Sequence, residues 1–191
     1  MIISIAGVTF AVLMMVLFRG LYVAYENKVS DYYHAMKVDA WIMQKGTANL
    51  LHSYSLLPAE MEAPLSSITG IARVTPYMAR EMGFVNQGKQ VSLRLVAFHP
   101  ESSDGPGPLR LEKGTRRIRD GEIIIDQVFA RRHKIELKDH LNISGRSLTV
   151  SGISSGGDVV IFQHAFITYE EAHRLLSLNG LVNAFLITYD R

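Results

Sequence analysis

Met1 to Phe18 carries no charged residue, and with Leu21 to Tyr25 it forms an apolar run broken only by Arg19. A helix needs roughly 20 apolar residues to cross the hydrocarbon core of a bilayer, so this run predicts a membrane span. A cleaved signal peptide would want a basic start, a shorter run and a small-residue cleavage site. This sequence has no Lys or Arg before Arg19 and no A-x-A before Glu26. Tyr22 and Tyr25 fall where an interfacial aromatic belt lies, and Arg19 is placed to snorkel toward headgroups. Arg19 and Lys28 alone would put the following flank in the cytoplasm, but the preceding flank is only Met1, so that count is set aside. Beyond the run, Tyr22, Tyr25, Val29, Tyr32 and Met36 recur at spacings of 3, 4, 3 and 4. That is one stripe along a helix. It predicts a stalk continuing the span and packing either on another helix or on the body of the same domain.

The pattern then changes period. Lys37 to Met43 alternates and reads as a strand. Pro58 opens a helical stretch with Met61, Leu65 and Ile68 on one face, ended by Gly70, and Pro64 inside it predicts a kink or a split. Ile71 to Met78, Val91 to Phe98 and Glu122 to Ile125 read as strands. His99 to Pro108, with three prolines and two glycines, reads as a loop. Gln127 to His133 predicts one or two helical turns. His140 to Ile143 and Ser147 to Ile153 predict a hairpin through Gly145-Arg146, followed by a turn over Ser154 to Asp158. Val159 to Ile167 reads as a strand. Thr168 and Glu171 form a capping box for a helix burying Ala172, Leu175 and Leu176. Asn179-Gly180 stops that helix, and Leu181 to Tyr189 closes the chain as a strand. Both ends of the body are therefore strand–helix–strand units around a strand-rich middle, an α+β class. The expectation is that 37–83 and 155–191 form one subdomain, with 84–154 inserted as a β-rich lobe.

Composition sharpens the division. The chain has 191 residues, 48% of them hydrophobic, but 20 of the first 25 are apolar. The remainder falls to about 43%, an ordinary globular value. All 18 acidic residues follow Tyr25. The formal charge of +2 is too small to indicate a nucleic-acid partner. Cysteine is absent, which removes disulfide scaffolds, thiolate metal sites and thiol catalysis.

Catalytic signatures are missing. There is no G-x-x-x-x-G-K-[ST] phosphate loop, no H-E-x-x-H and no G-x-S-x-G. Gly156-Gly157 precedes a strand rather than a helix, unlike a dinucleotide fingerprint. His133 with His140, and His164 with His173, lie on unlike elements, so structural histidines are the expectation rather than metal ligands. The basic runs Lys113 to Arg119 (KGTRRIR) and Arg131 to Lys134 (RRHK) have Glu112, Asp120, Glu122 and Asp126 close by. They read as a solvated face, with a protein or anionic-lipid contact as the alternative. No catalytic, cofactor-binding or metal residue is assigned, and no cofactor is expected.

The stretch DGEIIIDQVFARRHKIELKDHLNISGRSLTVSGI, Asp120 to Ile153, resembles the extracytoplasmic core of ABC-transporter permeases of the MacB/FtsX-like superfamily. The shared pattern is a short apolar strand, an alanine-bearing turn of helix, a Gly-Asp turn, and two strands ending V-x-G. Ala130, Asp139, Val150 and Gly152 match it, whereas Lys134 and Lys138 stand where members often carry glycine. AFITYEEAHRLL, Ala165 to Leu176, is similar to the family's later strand and capped helix. DAWIMQKGTANL, Asp39 to Leu50, is similar to the segment after its first membrane helix.

The resemblance implies a span and stalk over 1–36 and an extracytoplasmic domain over 37–191, with 37–83 and 155–191 porter-like. It implies a piece of a four-helix permease in the cell (inner) membrane, the main domain lying outside the cytoplasm. The implied partners are a separate ABC ATPase subunit, a second permease subunit in a homo- or heterodimer, a periplasmic adaptor or substrate, and membrane lipid, with no nucleic acid. The function expected is export or mechanotransmission without catalysis. The runner-up is a membrane-anchored extracytoplasmic sensor or binding domain, and an anchored hydrolase is a third reading.

Overall fold

A computed structural model describes residues 2–47, 55–102, 104–156 and 163–190. Asn49, part of the Asp39 to Leu50 and Val159 to Ile167 stretches, and the end of the 154–158 turn lie outside the described residues, as do the side chains of Lys28 and Val29.

Helix α1 runs unbroken from Ile2 to His34. At 1.5 Å per residue its length is about 50 Å. Ile5, Phe10, Phe18 and Leu21 are all exposed, so the helix is apolar all round in this part. Thr9 returns its hydroxyl to the Ile5 carbonyl at 2.9 Å, which satisfies it within the helix. Among the described residues this is the one helix long and apolar enough to cross a membrane.

The body is built from β1 (Ala40–Ile42), β2 (Leu57–Pro58), α2 (Glu62–Ser66), β3 (Ile71–Tyr77), β4 (Ala79–Asn86), β5 (Lys89–Phe98), β6 (Arg110–Gly114) and β7 (Glu122–Asp126). It continues with α3 (Gln127–His133), β8 (His140–Ile143), β9 (Arg146–Ser155), β10 (His164–Thr168), α4 (Tyr169–Leu175), β11 (Leu181–Val182) and β12 (Ala184–Tyr189). The class is α+β, as the alternation of periods predicts. Pro64 splits the stretch it sits in: Ala59–Met61 is a 3-10 turn, and α2 starts late enough that Pro64 falls in its first turn. There the missing N–H is not needed.

The seven-stranded sheet has the order β4-β5-β10-β7-β9-β6, with β8 pairing β9 off that path. A three-stranded sheet has the order β1-β12-β3, and β11 pairs β2. The expectation that 159–167 shares a sheet with the other strands of 37–83 and 155–191 does not hold for its described part. β12 does join β1 and β3, antiparallel to both. But β10 lies in the large sheet, parallel to β5 and antiparallel to β7. The reason is burial: all five residues of β10 are buried, so the strand needs neighbours on both edges and cover on both faces. The seven-residue α4 then carries the chain toward the small sheet.

Strands β4 and β6 were not legible in the pattern. β4 pairs β5 from Ala79↔Val96 to Asn86↔Lys89, closed by Gln87-Gly88 with φ of +49° and +74°. The second hairpin turns on Ser144-Gly145, at +51° and +81°, one residue before the Gly145-Arg146 expected. The closing strand is interrupted at Asn183. Its side chain accepts from the Ala79 amide at 2.7 Å and donates to the Ser55 carbonyl at 3.2 Å.

The V-x-G match has a physical cause. Ile123 faces Val150 and Ile124 faces Gly152, so Ser151 is an extra residue in a β-bulge. A Cβ on Gly152 would lie 3.0 Å from Ile124 Cγ1 and 3.1 Å from the Thr115 carbonyl oxygen. Lys134 and Lys138 adopt left-handed backbone at +52° and +74° despite carrying side chains. Lys134 closes α3, its N–H reaching Ala130 and Arg131 carbonyls. Asp139 accepts from the Glu136 amide at 2.8 Å.

The central strands alternate between two cores. Leu93, Leu95, Ile123, Ile125, Ala165, Ile167, Phe185 and Ile187 face one core. Val96, Phe98, Ile124, Phe166, Ala184 and Leu186 face the other, where they meet Tyr32 and Met36 from the end of α1.

Candidate functional site

The end of α1 is the candidate site. Of the stripe, Tyr22 is exposed and Tyr25 half-buried, whereas Tyr32 and Met36 are 0% and 1% exposed. The backbone of Val29 is helical. The site therefore begins where the helix leaves its exposed apolar part and enters the second core.

An aromatic chain crosses this junction. The His164 ring, on β10 of the large sheet, stacks on Tyr32 with centroids 4.4 Å apart. Tyr32 meets Tyr33 at 5.5 Å, Tyr33 meets Trp41 of β1 edge-on at 5.5 Å, and Trp41 meets Tyr77 of β3 at 5.4 Å. Ring contacts of this kind are worth about 0.5–1.5 kcal/mol each beyond their area. The helix end thus touches both sheets through rings, with no intervening loop.

Arg94 sits in the same core. It lies on the face of β5 that carries Val96 and Phe98, and the register puts it opposite His164. Burial lowers its pKa, but the Tyr77 and Tyr33 hydroxyls beside it act the other way, and the net direction is upward. The guanidinium stays charged beside the phenol oxygens of Tyr77 and Tyr33.

A second polar cluster is structural. Thr168 caps α4, accepting from the Glu171 amide at 3.2 Å. The Glu171 carboxylate does not return to Thr168. Fully buried, it accepts from the Gly121 amide at 3.0 Å and pairs with Arg146 and Arg174. Asp120 takes the Thr168 hydroxyl at 2.6 Å and Arg174 at 2.8 Å. Each of these groups is occupied by its neighbours, and the cluster ties α4 to the turn before β7. Among the described residues, no group of three or more His, Asp or Glu comes together to hold a metal.

The basic run is not uniformly solvated. Ile118 is buried, and Arg116 is half-buried with both ends of its guanidinium bound to backbone carbonyls. The residues missed from sequence are Tyr33, Tyr77 and Arg94. Arg94 carried a signal: in Val91 to Phe98 it is the one charged residue, and period two places it with Val96 and Phe98.

No protein-family model and no curated protein matches this sequence. Solved structures match in fold. The periplasmic region of MacB from Actinobacillus actinomycetemcomitans is 13% identical, with a TM-score of 0.55, over 78% of this chain and 73% of that one. The extracellular domain of the noncanonic ABC-type transporter YknZ from Gram-positive bacteria is 11% identical, with a TM-score of 0.59, over 79% and 82%. The fold expected from the Asp120 to Leu176 resemblance is the fold the chain has.

Proposed function

We propose, from a fold shared with the outer domains of MacB and YknZ, that this chain is a membrane helix and extracytoplasmic domain of an ABC-type transporter permease. Residues 1–36 cross and leave the membrane, and 37–191 work outside the cytoplasm. A separate ATPase subunit supplies the motion, a second permease copy or homologue completes the transporter, and a periplasmic adaptor or substrate meets the moving domain. The role is transmission of motion for export or mechanical signalling rather than catalysis.

The observation supporting this reading is continuity. One helix without a break carries an exposed apolar surface at one end and a buried foot at the other. Tilting such a rod moves whatever its foot is packed in. The foot is packed in both sheets, so neither sheet can follow the helix alone without separating the Tyr32–His164 stack at 4.4 Å or the edge-on Tyr33–Trp41 contact at 5.5 Å.

The test is to break the rod between span and foot. Proline at position 29 removes a backbone hydrogen bond and clashes with the preceding turn, at about 3 kcal/mol or more. In the assembled transporter, Val29→Pro is expected to abolish transport while the ATPase subunit still binds ATP. Transport that survives would make α1 a tether and favour the anchored sensor.

A further inference from the structure

The basic run and the proline loop meet at one side chain. Arg116 Nη1 donates to the Pro108 carbonyl at 2.9 Å, and Nη2 donates to the Ser102 carbonyl at 2.7 Å. The guanidinium also lies 5.4 Å from the centre of the Phe98 ring. One of these carbonyls precedes the strap Asp104–Leu109 and the other lies near its end. Pro106 and Pro108 have no N–H, so the strap has few donors of its own and depends on outside groups.

The strap in turn holds the end of α1. The Gly105 amide donates to the Met36 carbonyl at 3.0 Å. The Tyr32 hydroxyl lies beside the Gly107 backbone. Asp104 pairs with Arg73 of β3 at 3.4 Å. Gly107 is packed so closely that an added Cβ would lie 2.9 Å from Arg116 Nη2 and 3.3 Å from the Phe98 ring. The strap is therefore fixed to the small sheet by Asp104, to the helix end by Gly105, and to the β6–β7 connection by Arg116.

We propose that Arg116 is a positioning residue: by gripping two carbonyls at once, it keeps the strap 104–109 closed across the end of α1. The helix foot then cannot lift from the two sheets without breaking the Gly105–Met36 bond. Only a planar fork of donors reaches both carbonyls in a fixed geometry, which a lysine ammonium does not reproduce. The consequence for transport rests on the coupling role proposed above, but the clasp itself does not.

Hydrogen exchange on the full chain in detergent micelles tests it, comparing wild type with Arg116→Gln and Gly107→Ala. Each bond from a charged donor to a carbonyl is worth enough that losing both is expected to speed exchange at the Gly105 amide by about tenfold or more. The Met36 and Lys37 amides are expected to follow, while Ile124 and Phe166 in the large sheet keep their protection. Gly107→Ala retains the cation but displaces it, and is expected to give the same pattern more weakly. Unchanged protection at Gly105 in Arg116→Gln would overturn the proposal. So would equal acceleration at Ile124 and Phe166, which would make Arg116 a contributor to global stability alone. Transport by Val29→Pro decides the coupling role, and exchange at Gly105 decides the clasp.

Discussion

The two ends of α1 differ in composition and in surroundings: the first is uncharged as far as Phe18, and the last carries Glu26, Lys28 and Asp31 beside its aromatic residues. Phe10, Met15 and Phe18 are 63–71% exposed, whereas Tyr32 and Met36 are covered by strands from both sheets. The exposed end has no polar partner outside its own backbone to satisfy, which suits a lipid environment. The buried end brings hydroxyls with it, and the body answers with Arg94 and His164 on adjacent strands. A helix can thus change solvent along its length without changing secondary structure. What changes is whether the next layer of matter is hydrocarbon or protein.

Paired truncations test that contrast most strongly. Tyr32→Ala removes a ring from a close-packed core and is expected to destabilise the body by about 3–5 kcal/mol. Phe10→Ala is expected to stay within about 0.5 kcal/mol in detergent, where its surroundings are fluid. Denaturant titration followed by Trp41 fluorescence reads both. Equal effects would mean that the two ends of α1 are not differently packed.

Arg94→Met sharpens the contrast at the buried end. It keeps an apolar stem of similar length but removes the buried charge beside the Tyr33 and Tyr77 hydroxyls. Changing one member of a buried polar cluster typically costs about 1–3 kcal/mol, and the same titration should show a loss in that range. A neutral result would mean that Arg94 adds no net stability at the foot of α1.

The smallest effect concerns pH, where only the body carries a titrating network away from the foot. The Thr168 hydroxyl lowers the pKa of Asp120 most, burial opposes it in part, and Arg174 adds to the lowering, so the net direction is downward. A carboxylate depressed in the folded state adds stability above its unfolded pKa of about 3.9, and that stability is lost as pH falls through the folded value. Asp120→Asn is therefore expected to be less stable than wild type near neutral pH and to converge with it in acid. Thermal melts across an acid series check this. A constant difference between the two would show that Asp120 acts by shape rather than charge.

The sequence by itself determined what depends on near neighbours. The uncharged run to Phe18 makes a long helix because every turn of it is apolar. Asp126 and Thr168 start α3 and α4 because each places a side-chain oxygen on a nearby amide. Of the stripe, Tyr32 and Met36 enter a core whereas Tyr22 is exposed, and Gln127 to His133 is α3 to the residue. What it could not contain was which strand lies beside which. β10 alternates like the other strands, and only the need to cover both of its faces puts it between β5 and β7. Arg94 reads locally as the one charged residue of a strand, and Arg116 as part of a solvated basic run. They become a buried cation and a clasp because β5 meets α1 across about 60 residues of chain, and because the 99–109 loop folds back on the β6–β7 connection. Local patterning is decided by spacing within a turn or a pleat, whereas partner choice is decided by where distant apolar faces find cover.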